Sequence, residues 1–288
     1  MRTAGNTGQT SDGKPAGNTG QRPYYYQRVG DLLVPSGLTR SPWDRNAIAG
    51  GPLSALLAQG GEDAALDQDF EISRFTVDIF GKAPHQPLGL RTEVLRDGRQ
   101  TKLHRVTVLA DARPVAQAHI LRIRRLETPP APPPHTYPAP EDCTERSWLV
   151  GASMAGAIRT RPVLGEVRTP GRGICWLSVD GHVVAGEPPS SFVKAALFAD
   201  FGNGVGSATY AEEWSYANVD ITLQFLRIPA GEWLLIDAET HMAGNGHGVV
   251  TSTFADRDGV FARGFQTIFV APGRVSQLQA LPLQETAS

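Results

Sequence analysis

Hydrophobic positions along the chain fall into two rhythms. Four segments of the first half, Arg74 to Phe80 (RFTVDIF), Leu88 to Leu95 (LGLRTEVL), Leu103 to Ala110 (LHRVTVLA) and Pro114 to Arg124 (PVAQAHILRIR), are rich in β-branched residues and bounded by Gly, Pro or Asp. They predict four antiparallel strands. Ahead of them, Tyr24 to Tyr26 and Asp31 to Val34 read as short strand pieces. Between lies an apolar run, Leu53 to Leu57, opened by Ala49-Gly50-Gly51-Pro52 and closed by Gly60-Gly61, which predicts this half's one helix.

The second half repeats that order. Val163 to Arg168 and Ile174 to Val179 resemble strands, a helix follows, and four more strands are predicted at Asn218 to Leu226, Glu232 to Thr240, Gly248 to Ala255 and Gly259 to Val270. The second helix has Ser190 and Ser191 as N-caps, an apolar stripe at Phe192, Ala195, Ala196 and Ala199, and Gly202 as its expected stop. Asp200 interrupts the stripe's last turn. A carboxylate there faces the negative end of its own helix, so helix stability does not account for it.

Pro84 and Pro229, Asp111 and Asp256, and Val115 and Val260 are each 145 residues apart, the register of an internal duplication. The same shift sets Ala55 opposite Asp200, so the acid is expected in one copy only, as in a site that specialised after duplication. Residues 1–22, with the hexapeptide AGNTGQ at Ala4 and again at Ala16, read as a disordered tail. The proline-rich TPPAPPPHTYPAP from Thr128 to Pro140 reads as an extended connector. The expected organisation is a domain over 23–127, a linker over 128–144, a second domain over 145–273 carrying the acid, and a tail over 274–288.

Composition narrows the function. In 288 residues, 41% hydrophobic and 19% charged with a net charge of −2, no basic patch asks for nucleic acid. Cys143 and Cys175 are too few for a disulfide framework and too far apart for a metal knuckle, which suits a reducing cytoplasm. No apolar run approaches the roughly 20 residues needed to span a bilayer, and the N-terminus has no signal-type segment. Other catalytic patterns fail. GASMAG around Ser153 sets its second glycine one residue too late for a nucleophile elbow, and GNGVG after Asp200 follows a helix rather than a strand. His241 and His247, flanking a predicted hairpin loop, read as surface residues, and no histidine is expected beside either helix. Neither metal nor cofactor is expected.

One helix wrapped by a long antiparallel sheet, present twice, is the plan of an α+β double hotdog. Gly50-Gly51 with the following helix, ADFGNG around Asp200, NVDITLQFLRIPAGEWLLIDAET from Asn218 to Thr240 and DGVFARGFQTIFV from Asp258 to Val270 together resemble the TesB-like acyl-CoA thioesterases, over roughly residues 24 to 272. The resemblance implies hydrolysis of acyl-CoA to a fatty acid and CoA, by a water that an Asp, a Ser or Thr, and a Gln activate. Asp200 and Gln266 match the first and last of these, and Asn218 stands at the hydroxyl position.

Thioester hydrolysis needs a water, a base and donors for the oxyanion, which Asp, Asn and Gln side chains can supply. A partly desolvated carboxylate is the better base near neutrality. Alternation puts Gln266 on one face with Gly264, Ile268 and Val270, but Phe265, Thr267 and Phe269 have an equal claim to the core. Asn218 shares parity with Asp220, Thr222 and Gln224, so it points away from the apolar face unless a bulge intervenes. The N–H groups of Gly50 and Gly51 either face a substrate carbonyl or phosphate, or these glycines serve tight helix-sheet packing. The partner expected is acyl-CoA, with a homodimer through exposed sheet surface as a further pairing. A non-catalytic acyl-CoA-binding protein and a hydratase or dehydratase of acyl thioesters are the alternatives.

Overall fold

A computed structural model of the chain describes residues 22–63, 69–130, 135–148, 153–166, 169–210 and 213–272. The two expected tails, apart from Arg22, lie outside the described residues, as does part of the expected linker. The first half contributes β1 (Tyr24–Val29), β2 (Leu32–Pro35), α1 (Gly50–Asp63), β3 (Phe70–Ile79), β4 (Gly89–Asp97), β5 (Thr101–Ala110) and β6 (Arg113–Arg124). The second contributes β7 (Ile158–Leu164), β8 (Gly173–Val179), β9 (His182–Val184), α2 (Ser191–Phe198), α3 (Gly202–Val205), β10 (Trp214–Asn218), β11 (Asp220–Phe225), β12 (Leu234–Met242), β13 (His247–Asp256) and β14 (Gly259–Pro272).

The main sheet runs β4-β5-β6-β3-β11-β14-β13-β12-β8-β7, with β10 also on β14. Read outward from its centre, β3-β6-β5-β4 mirrors β11-β14-β13-β12. The two halves are joined by backbone hydrogen bonds along the antiparallel pair β3 and β11, where Val77 faces Ile221 and Phe75 faces Leu223. Both helices lie on the inner face, so inward positions alternate with exposed ones as period-two patterning requires. On β14, Gln266, Ile268 and Val270 are buried while Phe265 and Phe269 are exposed, which decides the parity that the sequence left open. Phe75, Phe192 and Phe225 meet edge to face between helix and sheet.

β4 maps onto β12 from end to end at the expected offset of 145, whereas β5 maps onto β13, and the start of β6 onto that of β14, at 146. The helices shift further. Gly50 opens α1 and Ser191 opens α2, an offset of 141, so the counterpart of Asp200 is Gln59 and not Ala55. The connection between helix and following strand differs in length in the two halves, which a single register cannot show.

Both expected helix stops are also corrected. Gly60 and Gly61 lie inside α1, where a Cβ on Gly61 would come within 2.0 Å of Ile120 Cδ1 and one on Gly60 within 3.2 Å of Leu90 and Val106. Gly202 likewise keeps right-handed helical angles, φ −52° and ψ −49°, and the chain continues from α2 through a 3-10 turn (Ala199–Phe201) into α3. These glycines bring helix and sheet together rather than ending a helix. Ser190, as expected, caps α2 by accepting from the Val193 N–H at 3.1 Å.

On the sheet's outer face, residues 135–143 pack instead of spanning open space. Trp176 Nε1–H donates to Pro138 O at 3.1 Å, and the Tyr137 hydroxyl donates to Asp237 at 2.8 Å. Trp176, Trp233 and Leu235 form a second, smaller core there with Tyr137 and Cys143 at its edge. His241 and His247 flank the β12-β13 hairpin and are exposed, in line with expectation.

Candidate active site

Asp200 sits in the 3-10 turn between α2 and α3 and reaches across to the other half. Its Oδ2 accepts the Gly51 N–H at 2.7 Å, at the positive end of α1. Its Oδ1 accepts from Asn218 Nδ2. The residue keeps some accessible surface, but its carboxyl group is enclosed by protein, and burial pushes its pKa above the ordinary carboxylate range. The hydrogen bonds from Asn218 and Gly51 pull it back down without cancelling that rise.

Gly50 is required by the closeness of this contact. A Cβ there would stand 2.2 Å from Asp200 Oδ1, and one on Gly51 2.9 Å from the Leu197 carbonyl. The Gly51 N–H, expected to face a substrate carbonyl or phosphate unless the glycines serve tight helix-sheet packing, is engaged by the carboxylate. The atoms that crowd Gly50 and Gly51 belong to α2 and the turn after it, so the close packing here is between helices and not between helix and sheet.

Asn218 and Gln266 converge on Asp200 from neighbouring strands. Asn218 Nδ2 also contacts the Asp200 carbonyl at 3.2 Å, and Gln266 Nε2 donates to that same carbonyl at 3.0 Å. Asn218 faces inward because the strand is broken at Val219: β10 pairs Asn218 with Ile268, whereas β11 pairs Thr222 with Phe265. That is the bulge on which its role depended. Asn218 Oδ1 and Gln266 Oε1 are both buried without a protein partner, two acceptors on the two side chains that bind Asp200.

Sequence reasoning missed two parts of this site. Gly202 leaves the space that Gln266 occupies, since its Cβ would lie 2.2 Å from Gln266 Oε1 and 2.8 Å from Ser252 Oγ. Ser252, buried on β13, places a hydroxyl beside that amide. No spacing motif reports either, because both depend on how α3 crosses the sheet. Nearby, Trp43 meets the Tyr216 ring edge to face at 5.9 Å, two residues from Asn218.

The pseudo-symmetric position carries different chemistry. Gly61 stands where Gly202 does, and its neighbours are Ile120 and Val106 in place of Gln266 and Ser252. With Gln59 in place of Asp200, the sheet residues described there present neither an acid nor an amide to Gly61. One histidine does lie beside a helix, against expectation: His104, buried on β5, accepts from Arg122, which also donates to the Gly61 carbonyl at 3.1 Å. Burial and then Arg122 lower its pKa, and it sits at the end of α1 opposite Gly50 and Gly51. Among the described residues no group of three His, Cys, Asp or Glu is placed to hold a metal.

Two helices enclosed by one sheet made of two copies of the same strand order, with a buried carboxylate between the copies, define a double hotdog protein. Solved structures share this fold. A hot-dog-fold protein of Alicyclobacillus acidocaldarius aligns with a TM-score of 0.68 at 16% identity, over 85% of this chain and 95% of its own. A tesB protein of Mycobacterium avium subspecies paratuberculosis aligns at 0.60 and 20%, over 86% and 96%. An acyl-CoA thioesterase II of Mycobacterium marinum aligns at 0.62 and 16%, over 86% and 96%. No curated protein sequence matches the chain. Models of the acyl-CoA thioesterase N-terminal domain and C-terminal domain match residues 39–123 and 131–270. The chain belongs to the acyl-CoA thioesterase family.

Proposed function

We propose that the protein hydrolyses acyl-CoA thioesters without a metal, with Asp200 as general base and Gln266 and Asn218 holding the water. The observation that carries this reading is the grouping of a desolvated carboxylate with two buried, unpartnered amide oxygens. A water that donates one hydrogen to one of those oxygens keeps its other hydrogen for the base. Asp200 takes its proton as the oxygen adds to the thioester carbonyl. The oxyanion gathers toward the positive end of α1, where Gly50 is the first helical residue. As the carbon–sulfur bond breaks, the proton returns from Asp200 to the CoA sulfur, leaving a free acid and a thiol.

Three features support the assignment of the base. Its pKa is raised, which makes the carboxylate more basic near neutrality. The Gly51 N–H holds one oxygen and Asn218 Nδ2 the other, so the carboxylate is oriented without moving. The pseudo-symmetric position lacks both the acid and the facing glutamine, so the chemistry is confined to one side. The test is thiol release from acyl-CoA esters of graded chain length by the wild type, Asp200→Asn and Gln266→Ala, with folding checked by circular dichroism. A hundredfold or greater loss in folded variants is expected, on the order of removing a base or a key polar group. Absence of wild-type turnover across the panel, with unhydrolysed acyl-CoA bound, would instead identify an acyl-CoA-binding protein.

A further inference from the structure

The break in the strand at Val219 needs a stabilising partner of its own. Between the pairs Asn218–Ile268 and Thr222–Phe265, three residues of one strand face two of the other, the count of a bulge. Val219 N–H still donates to Thr267 O at 2.8 Å, but its carbonyl has turned to the other neighbour and accepts from Ile79 N–H at 2.9 Å. The Thr267 N–H has therefore lost its ladder acceptor. Left alone inside a sheet, such a group costs about 1–3 kcal/mol.

Asp220 fills the gap. Its Oδ1 accepts the Thr267 N–H at 2.7 Å and its Oδ2 accepts the Thr267 hydroxyl at 3.0 Å. Thr267 lies between the buried Gln266 and Ile268 and so faces the opposite side of the sheet. Asp220 thus acts from the outer face, away from the reacting atoms. Its carboxylate replaces a main-chain carbonyl, at the one point where the strand must slip by a residue to turn Asn218 inward. A regular strand would send Asn218 to the outer face with Asp220's parity.

We propose that Asp220 is a positioning residue for hydrolysis: through Thr267 it clamps the bulge that presents Asn218 to Asp200. The proposal rests on the catalytic reading of Asn218 given above, and the two can fail separately. The measurement is kcat and KM for Asp220→Ala, Asn218→Ala and the double variant, together with the NMR shifts of the Asn218 side-chain amide in the folded single variant. Asp220→Ala is expected to lower kcat about tenfold or more with KM little changed, and the double variant to be no worse than Asn218→Ala alone. The Asn218 amide signals should move toward those of a solvent-exposed asparagine. Asp220→Asn, which keeps an acceptor for the Thr267 N–H, should recover part of the loss.

Losses that multiply in the double variant, or wild-type kcat in Asp220→Ala, would overturn the proposal. If Asn218→Ala itself keeps full kcat, the catalytic role of Asn218 fails. The amide signals then decide alone: displaced in Asp220→Ala they uphold the clamp, unmoved they overturn it. Should Asp220→Ala not fold, Thr267→Val, which removes only the hydroxyl contact, and Asp220→Asn carry the same comparison.

Discussion

At the scale of single residues, the central feature is a carboxylate held between a helix N-terminus and the Asn218 amide, with Gln266 bound to the same residue's main-chain carbonyl. Asp200 is unfavourable for its own helix and favourable for the neighbouring one, which explains a charge that local propensity rejects. Gly50 makes the approach possible, so Gly50→Ala should displace the carboxylate: a Cβ at 2.2 Å from Oδ1 cannot be accommodated without movement. The expected result is a loss of kcat approaching that of Asp200→Asn in a protein that still melts cooperatively, read by thiol release and calorimetry. Gly202→Ala should act on Gln266 in the same way, with its amide pushed off the Asp200 carbonyl. Asp200 was legible in the sequence as a charge in an apolar stripe, whereas Gln266 was singled out by the family resemblance, since alternation left its face open. The inward turn of Asn218 was not legible, since a bulge moves one residue without changing composition.

At the scale of elements, strands were easier to read than helix ends. β-Branched alternation between turn residues reports directly on a sheet with one buried face, and duplication repeats the signal. Glycine is ambiguous: the same residue stops a helix or lets it lie close to a sheet, and Gly60, Gly61 and Gly202 do the second. Asp256 ends β13, whereas Asp111, its expected counterpart, lies in the turn after β5. Asp256, on β13, is fully buried in its side chain and binds Arg227 through two contacts of 2.5 Å, while also accepting the Ala230 and Asp258 N–H groups at 2.8 and 2.9 Å. Burial pushes its pKa up, but Arg227 and these N–H groups bring it below the ordinary value. A depressed folded-state pKa contributes stability above the unfolded-state value of about 3.9, and that contribution disappears as pH falls through the folded-state value. Asp256→Ala should therefore lower stability at pH 7 by about 3 kcal/mol, the low end for breaking a buried pair because Arg227 keeps some exposure. In urea titrations the gap from wild type should narrow as pH drops below 4.

At the scale of the molecule, the two halves share one sheet and one site. β3 pairs with β11, and Gly51 of the first half holds Asp200 of the second, so neither half contains a complete site. Fragments divided within residues 131–134 should each fail to hydrolyse acyl-CoA, and thiol release should return when the two are coexpressed and copurify. The double hotdog plan was legible from the order of elements because duplication wrote it twice. The side of the duplication that carries the acid was legible too, but its counterpart, Gln59, was hidden by the unequal helix-to-strand connections.

The account turns on Asp200 as the base, and the pH dependence of kcat/KM for a good acyl-CoA substrate tests that most directly. The base must be ionised to work, and burial raises its pKa, so activity should rise with pH through a single ionisation above the usual range of about 4 for a carboxyl group. That step should vanish, along with most of the rate, in folded Asp200→Asn. A profile with the same inflection and comparable rate in Asp200→Asn would contradict the account and place the base elsewhere.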